Sequence, residues 1–188
     1  MPANLEKTVK RPDFEPQLGI IEPPDAEMDA KPTDQDILTA YHEAGHAVMA
    51  LIVGRDVHRV SILPNQTRLG ACELKKGRSK PSRDMLEDEV LILLAGVAAE
   101  GRLTENYNWS GGSQDLRQAQ YLIESRAGNQ RQSERLHRRM LDKAEYLLDD
   151  SAHWGAVQVI ANQLLELKTI SGRAARHFYN MQLAKKDR

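Results

Sequence analysis

The chain has a single cysteine, Cys72, and no uninterrupted apolar run of 18 residues. One cysteine excludes an internal disulfide and any metal site built from several thiolates, and it fits a reducing compartment. Without a long apolar run, no transmembrane helix is expected in these 188 residues. The opening MPANLEKTVKRPDFEPQ has no apolar h-region, so no secretory signal is expected either. Net charge is nearly absent: 26 basic residues against 27 acidic ones leave −1. That supplies no global field towards nucleic acid or an anionic membrane surface. The expectation is a cytoplasmic protein with no membrane insertion and no nucleic-acid partner.

Proline is scarce after the first segment. Pro2, Pro12, Pro16, Pro23, Pro24 and Pro32 precede residue 33, leaving only Pro64 and Pro81 beyond it. Residues 1–32 also lack sustained periodicity and read as an extended or disordered tail. Its one apolar patch, Leu18-Gly19-Ile20-Ile21, reads as loose packing, with docking on a sheet edge as the sharper alternative. A single folded domain is expected over 33–188.

What is present begins with a helix. Thr33 and Asp36 form a capping pattern, and Ile37, Leu38, Tyr41, Gly45, Val48, Met49 and Ile52 trace a helical apolar stripe that Gly54 can end. Gly45 inside it costs about 1 kcal/mol relative to alanine, which suggests close packing by another element. Residues 57–63 alternate as a strand, Pro64-Asn65-Gln66 breaks it, and 69–74 reads as the returning strand of a hairpin. A second helix, capped at Ser82, runs through an apolar centre at residues 90–95 that marks it as buried. A loop over 104–112 leads to a third helix opening at Ser113. Further helices are read at about 131–148, 152–168 and from near Ser171, with Gly128, Gly155, Gly172 and Asp149-Asp150 as the breaks. The fold class is therefore α+β, mainly α-helical, with a small hairpin or sheet.

Within the first helix stands His42-Glu43-Ala44-Gly45-His46. Four helical residues advance about 400°, so the two imidazoles lie roughly 40° apart on one face and can converge on one ion. Glu43 points about 100° away from His42, free to act on a water held by a metal. A catalytic zinc site needs a third protein ligand and an open position. Met49 and Ile52 occupy the places where a following histidine would fall, so the ligand comes from a later element and is expected to be acidic. Glu73, Glu100, Glu105 and Asp115 are the candidates, and physical argument leaves the choice close. Glu100 lies on the buried helix, where an unpaired carboxylate would be costly. Asp115 follows Gly111 and Gly112 at a helix start, where an acid is also accounted for by the helix dipole.

Four blocks occur in order: Ala40-Tyr41-His42-Glu43-Ala44-Gly45-His46-Ala47, the hairpin 57–63 with Leu69-Gly70, Leu94-Ala95-Gly96-Val97-Ala98-Ala99-Glu100, and Ser110-Gly111-Gly112-Ser113-Gln114-Asp115-Leu116. Together, over roughly 34–170, they resemble the peptidase domain of FtsH-type zinc metalloproteases. The resemblance implies a helical zincin-like domain with a small sheet beside the active-site helix. It implies His42, His46 and Asp115 as Zn2+ ligands, Glu43 as general base, and Glu100 behind a ligand imidazole. It implies endopeptidase activity on unfolded polypeptide, which in the family pairs with an edge strand of the small sheet. Family members usually carry a transmembrane anchor and an ATP-driven unfoldase ahead of the peptidase. No such anchor and no G-x-x-x-x-G-K-[ST] loop is found in this sequence, so substrates are expected to be unfolded already or delivered by a separate ATPase, with homo-oligomer formation open. Gly112 stands where alanine is common in the family. The rival reading is a catalytically idle zinc-binding adaptor that recruits an ATPase or membrane partner, and a weaker one is an amidohydrolase acting on other amides.

Other features read as structural. His58, His137, His153 and His177 lack ligand spacing. The run Arg126, Arg131, Arg135, Arg138 and Arg139 has no aromatic interleaving and reads as a solvated helix face. Trp154, Val157, Ala161 and Leu164 at helical spacing read as core, Cys72 as a small strand residue, and Tyr107, Asn108 and Trp109 as loop anchors that could also line a site.

Overall fold

The computed structural model of the chain describes residues 31–64, 69–78, 80–106 and 113–186. The tail read over 1–32 lies, except for the exposed Lys31 and Pro32, outside the described residues, as do Asn65, Gln66, Tyr107, Asn108, Trp109, Gly111 and Gly112.

Helix α1 spans Asp34–Ile52. Thr33 Oγ1 accepts from the Asp36 amide at 3.1 Å while the Thr33 amide donates to Asp36 Oδ2 at 2.9 Å, so two orphan donors are satisfied reciprocally. After α1 the chain turns at Gly54, whose φ of +80° suits glycine. It then enters β1 (Arg55–Ser61), β2 (Ala71–Arg78), α2 (Met85–Thr104), α3 (Ser113–Arg126), α4 (Gln130–Asp149), α5 (Ser151–Leu167), β3 (Thr169–Ser171) and α6 (Gly172–Lys186). The architecture is mainly helical with one small antiparallel sheet, as expected.

Three details differ from the sequence reading. Helix α2 is capped by Asp84 rather than Ser82: Asp84 Oδ1 accepts from the Leu86 and Glu87 amides at 3.1 and 3.0 Å, while Ser82 Oγ instead donates to Asp88. Strand β2 continues through Lys75, Lys76 and Gly77, residues without apolar alternation, and its pairing with β1 reaches Arg55 opposite Arg78 across two register irregularities, one with the extra residues in β2 and one with the extra residue in β1. Gly155 does not break a helix; it lies inside α5.

The sheet order is β2-β1-β3, with β1 central. Val60 pairs with Cys72 on one side and Ile170 on the other. The short β3 was not foreseen. Three residues cannot display a period, and its place is set by the left-handed Lys168 (φ 60°), whose carbonyl accepts from the Ile62 amide at 2.9 Å.

Helix α1 runs through the middle, packed on α2, α5 and β1. The core gathers Val48, Met49, Val60, Leu91, Leu94, Ile123, Leu148, Ile160 and Leu164, all fully buried. Trp154 belongs to its margin. It is half-buried against Tyr41, with the Arg102 guanidinium 4.3 Å above its ring. Arg126, Arg131, Arg135, Arg138 and Arg139 are exposed.

Candidate metal centre

Helix α1 presents His42, Glu43 and His46, all buried, from its middle turns. They are reached by α2 at an unusually close crossing. A Cβ on Gly45 would lie 2.5 Å from the Ala95 carbonyl oxygen, and one on Gly96 would lie 2.6 Å from His42 Cε1 and Nε2. Any side chain at 96 would displace the imidazole. The close packing inferred for Gly45 is therefore present. Gly96, which sequence reasoning treated only as part of a motif, makes room for the His42 ring. The small-residue run Ala95-Gly96-Val97-Ala98-Ala99 was the available signal for such a crossing.

The crossing also supplies acceptors behind both rings. Glu100 Oε1 lies 2.6 Å from His42 Nδ1, and the Ile92 carbonyl lies 2.6 Å from His46 Nδ1. Both partners accept, so each Nδ1 carries the proton and donates it. In a neutral imidazole this leaves a bare lone pair on Nε2. The two Nε2 atoms stand 2.9 Å apart, on rings inclined by 82°. The first turn of α3 brings Asp115 to them, its Oδ2 3.3 Å from His42 Nε2 and 3.4 Å from His46 Nε2.

Three electron-pair donors thus face one point, an arrangement that repels itself unless a cation or an added proton lies between them. With protein groups alone, burial opposes charging of His42. Its hydrogen bonds to Asp115 and Glu100, with nearby Glu43, outweigh that and push its pKa up to about 10. Burial likewise opposes ionisation of Asp115, but hydrogen bonds from His42 and His46 hold it well below the usual carboxylate range. A tetrahedral zinc with ligands at about 2.0–2.1 Å needs donor atoms about 3.3–3.4 Å apart. The two histidine–aspartate separations match this, and the histidine pair is slightly tight. The donor set suits zinc.

Among the described residues, His42, His46 and Asp115 form the only such cluster of three or more potential ligands. Glu73 is not part of it, being paired with Arg59 at 2.5 Å. Glu105 is exposed beyond the end of α2. His58 and His177 are exposed, and His153 Nδ1 bonds the Leu147 carbonyl at 2.7 Å while its ring stacks on Tyr179. Glu43 lies against Gly70, just ahead of β2: a Cβ there would be 2.8 Å from its Cγ and Oε1. Two residues on, Cys72 packs against the core, and burial foremost, then Glu43, Glu73 and Asp115, pushes its thiol well above the usual range.

The family model of peptidase family M41 matches residues 30–147. The chain belongs to peptidase family M41. The M41 match takes in α1, the sheet's first two strands, α2 and α3, hence every side chain of the centre. Among curated relatives, an ATP-dependent zinc metalloprotease FtsH of Syntrophotalea carbinolica is 37% identical over 112 residues, covering 57% of this chain and 17% of its own length. One from Protochlamydia amoebophila is 38% identical over 91 residues, covering 46% and 10%. One from Magnetococcus marinus is 41% identical over 85 residues, covering 43% and 12%. The chain thus spans under a fifth of the length of these M41 relatives. No helix among the described residues is long and apolar enough to cross a membrane.

Proposed function

We propose that this chain is a zinc-dependent endopeptidase that hydrolyses peptide bonds in unfolded or partner-delivered polypeptide, with His42, His46 and Asp115 as the metal ligands and Glu43 as general base. The observation that carries this reading is the convergence of three potential ligand atoms, the His42 and His46 Nε2 and Asp115 Oδ2, 2.9–3.4 Å apart, beside a buried glutamate. Membership of M41 and the zinc metalloprotease relatives support it.

When bound, zinc supplies Lewis acidity that brings a water to a pKa of about 7 and polarises the peptide carbonyl. The residues do the rest. Glu100 and the Ile92 carbonyl hold each imidazole in the tautomer that turns its lone pair inward. Asp115, ionised, would join the two imidazoles in holding the metal. Glu43 takes the proton from the attacking water and returns it to the leaving amine. An extended polypeptide lies along the outer edge of β2, whose preceding residue, Gly70, lies against Glu43.

The test is cleavage of casein by the full chain. Wild type is expected to cleave it, to lose activity to a chelator and to regain it with zinc. Glu43→Gln is expected to retain the metal while turnover falls by at least about 10²-fold. Undiminished cleavage by that variant would remove the mechanism.

A further inference from the structure

Strand β2 begins just after Gly70, which lies against Glu43, and runs on to Arg78. Its inner edge pairs with β1, and its outer edge carries no strand among the described residues. Such an edge offers unpaired backbone donors and acceptors to an extended peptide. Charge along it is uneven. Near the centre, Glu73 is cancelled by Arg59 at 2.5 Å. Farther out come Lys75, Lys76, Arg78, Lys80 and Arg83, with no acid between Glu73 and Asp84. In a chain of net charge −1 this concentration is local. Lys75 and Lys76 are exposed, and among the described residues neither has an ion pair.

Gly70 to Lys75 is five residues, about 17 Å at the rise of a strand. A substrate strand paired with β2 shares that rise. Its residues about five to six positions from the bond beside Glu43 therefore lie over Lys75 and Lys76. We propose that Lys75 and Lys76 form a specificity subsite that selects acidic side chains at that distance from the scissile bond, on one side of it. The assignment rests on the peptidase reading above. Acidic polypeptide is the occupant favoured over nucleic acid because the cations lie on an open strand edge continuous with the hydrolytic centre, where backbone pairing fixes their spacing from the bond. Lysines on an edge also deter copies from pairing with each other; that role alone would leave cleavage indifferent to where a substrate carries its acids.

The experiment compares two series of peptides sharing one cleavable sequence. One is neutral throughout; the other carries a pair of aspartates five and six residues from the bond, placed upstream or downstream. With the full wild-type chain, one placement is expected to raise kcat/KM about three- to tenfold. The gain should come through KM, as for a contact made equally in ground and transition states, and should fade at high salt. In the Lys75→Glu/Lys76→Glu variant the acidic-to-neutral ratio should fall to about one or below, and Lys75→Arg/Lys76→Arg should keep it. Equal kcat/KM for all peptides with wild type, or a preference that survives the charge reversal, overturns the subsite. Binding of the same peptides, labelled with a fluorophore and read by anisotropy in Glu43→Gln, separates this from failure of the peptidase reading. If no peptide is cleaved by wild type, acid-dependent binding that is lost with Lys75→Glu/Lys76→Glu still upholds the subsite, and its absence overturns it. A single-stranded oligonucleotide that binds more tightly than the acidic peptide would assign the patch to nucleic acid and also overturn it.

Discussion

At the scale of single residues, the centre is built from side chains whose chemistry was readable and from backbone features that were not. The i, i+4 pair of His42 and His46 carries its geometry in the helical period, and the structure sets their Nε2 atoms 2.9 Å apart. The third ligand was a close choice from physical argument alone, because an acid at a helix start has an ordinary reason to be there. In the fold, Asp115 lies near both Nε2 atoms, and Glu100 stands on the opposite side of His42 at its Nδ1. The Ile92 carbonyl and the missing Cβ of Gly96 left no trace in the sequence as parts of a site. A backbone oxygen is present at every residue, and a glycine announces space without saying for what. These positions give an ordered expectation for metal retention. Asp115→Ala should release zinc more readily than Glu100→Ala, which should weaken binding by about 10- to 100-fold. Competition against a chromogenic chelator measures both, and the reverse order would transfer the ligand role to Glu100.

At the scale of elements, α1 and α3 to α6 were legible because their apolar periods and flanking glycines or caps agree. The start of α2 was not. Ser82 and Asp84 are both good caps. In the structure Asp84 takes the cap and its carboxylate also pairs with Arg126, in the last turn of α3, a contact between elements that no local pattern reveals. Arg126 first, then the Glu87 and Leu86 amides, hold the Asp84 pKa at about 2. A carboxylate depressed on folding stabilises the fold above its unfolded pKa of about 4 and loses that contribution as pH falls through the folded value. Stability is therefore expected to decline between about pH 4 and pH 2, and Asp84→Asn should flatten part of that decline. Urea unfolding across this range reads it out. Identical pH profiles for the two proteins would show that the Asp84 carboxylate contributes nothing through its charge.

At the scale of the whole molecule, the fold class followed from long helical periods around one alternating segment, whereas the sheet order did not. Strand β3 is three residues long and pairs with a strand more than a hundred positions earlier, a contact invisible to any local window. Its closure depends on Gly172, where a Cβ would lie 1.8 Å from the Val57 carbonyl oxygen. Gly172→Ala must push α6 off β1 and should cost about 1–3 kcal/mol or more, seen as a Tm lowered by several degrees; an unchanged Tm would mean that this junction is not tightly packed. The same long-range closure holds β1, and with it β2 and Gly70, beside the helix that carries Glu43. The central claim about the assembled protein is a metal gripped by three side chains with one position left to water. X-ray absorption at the zinc edge of the zinc-loaded wild-type chain tests it most directly. The account predicts two imidazole nitrogens, one carboxylate oxygen and one further oxygen at about 2.0–2.1 Å. It also predicts that an added hydroxamate displaces the last of these. A closed shell of four protein ligands that a hydroxamate leaves untouched would contradict it.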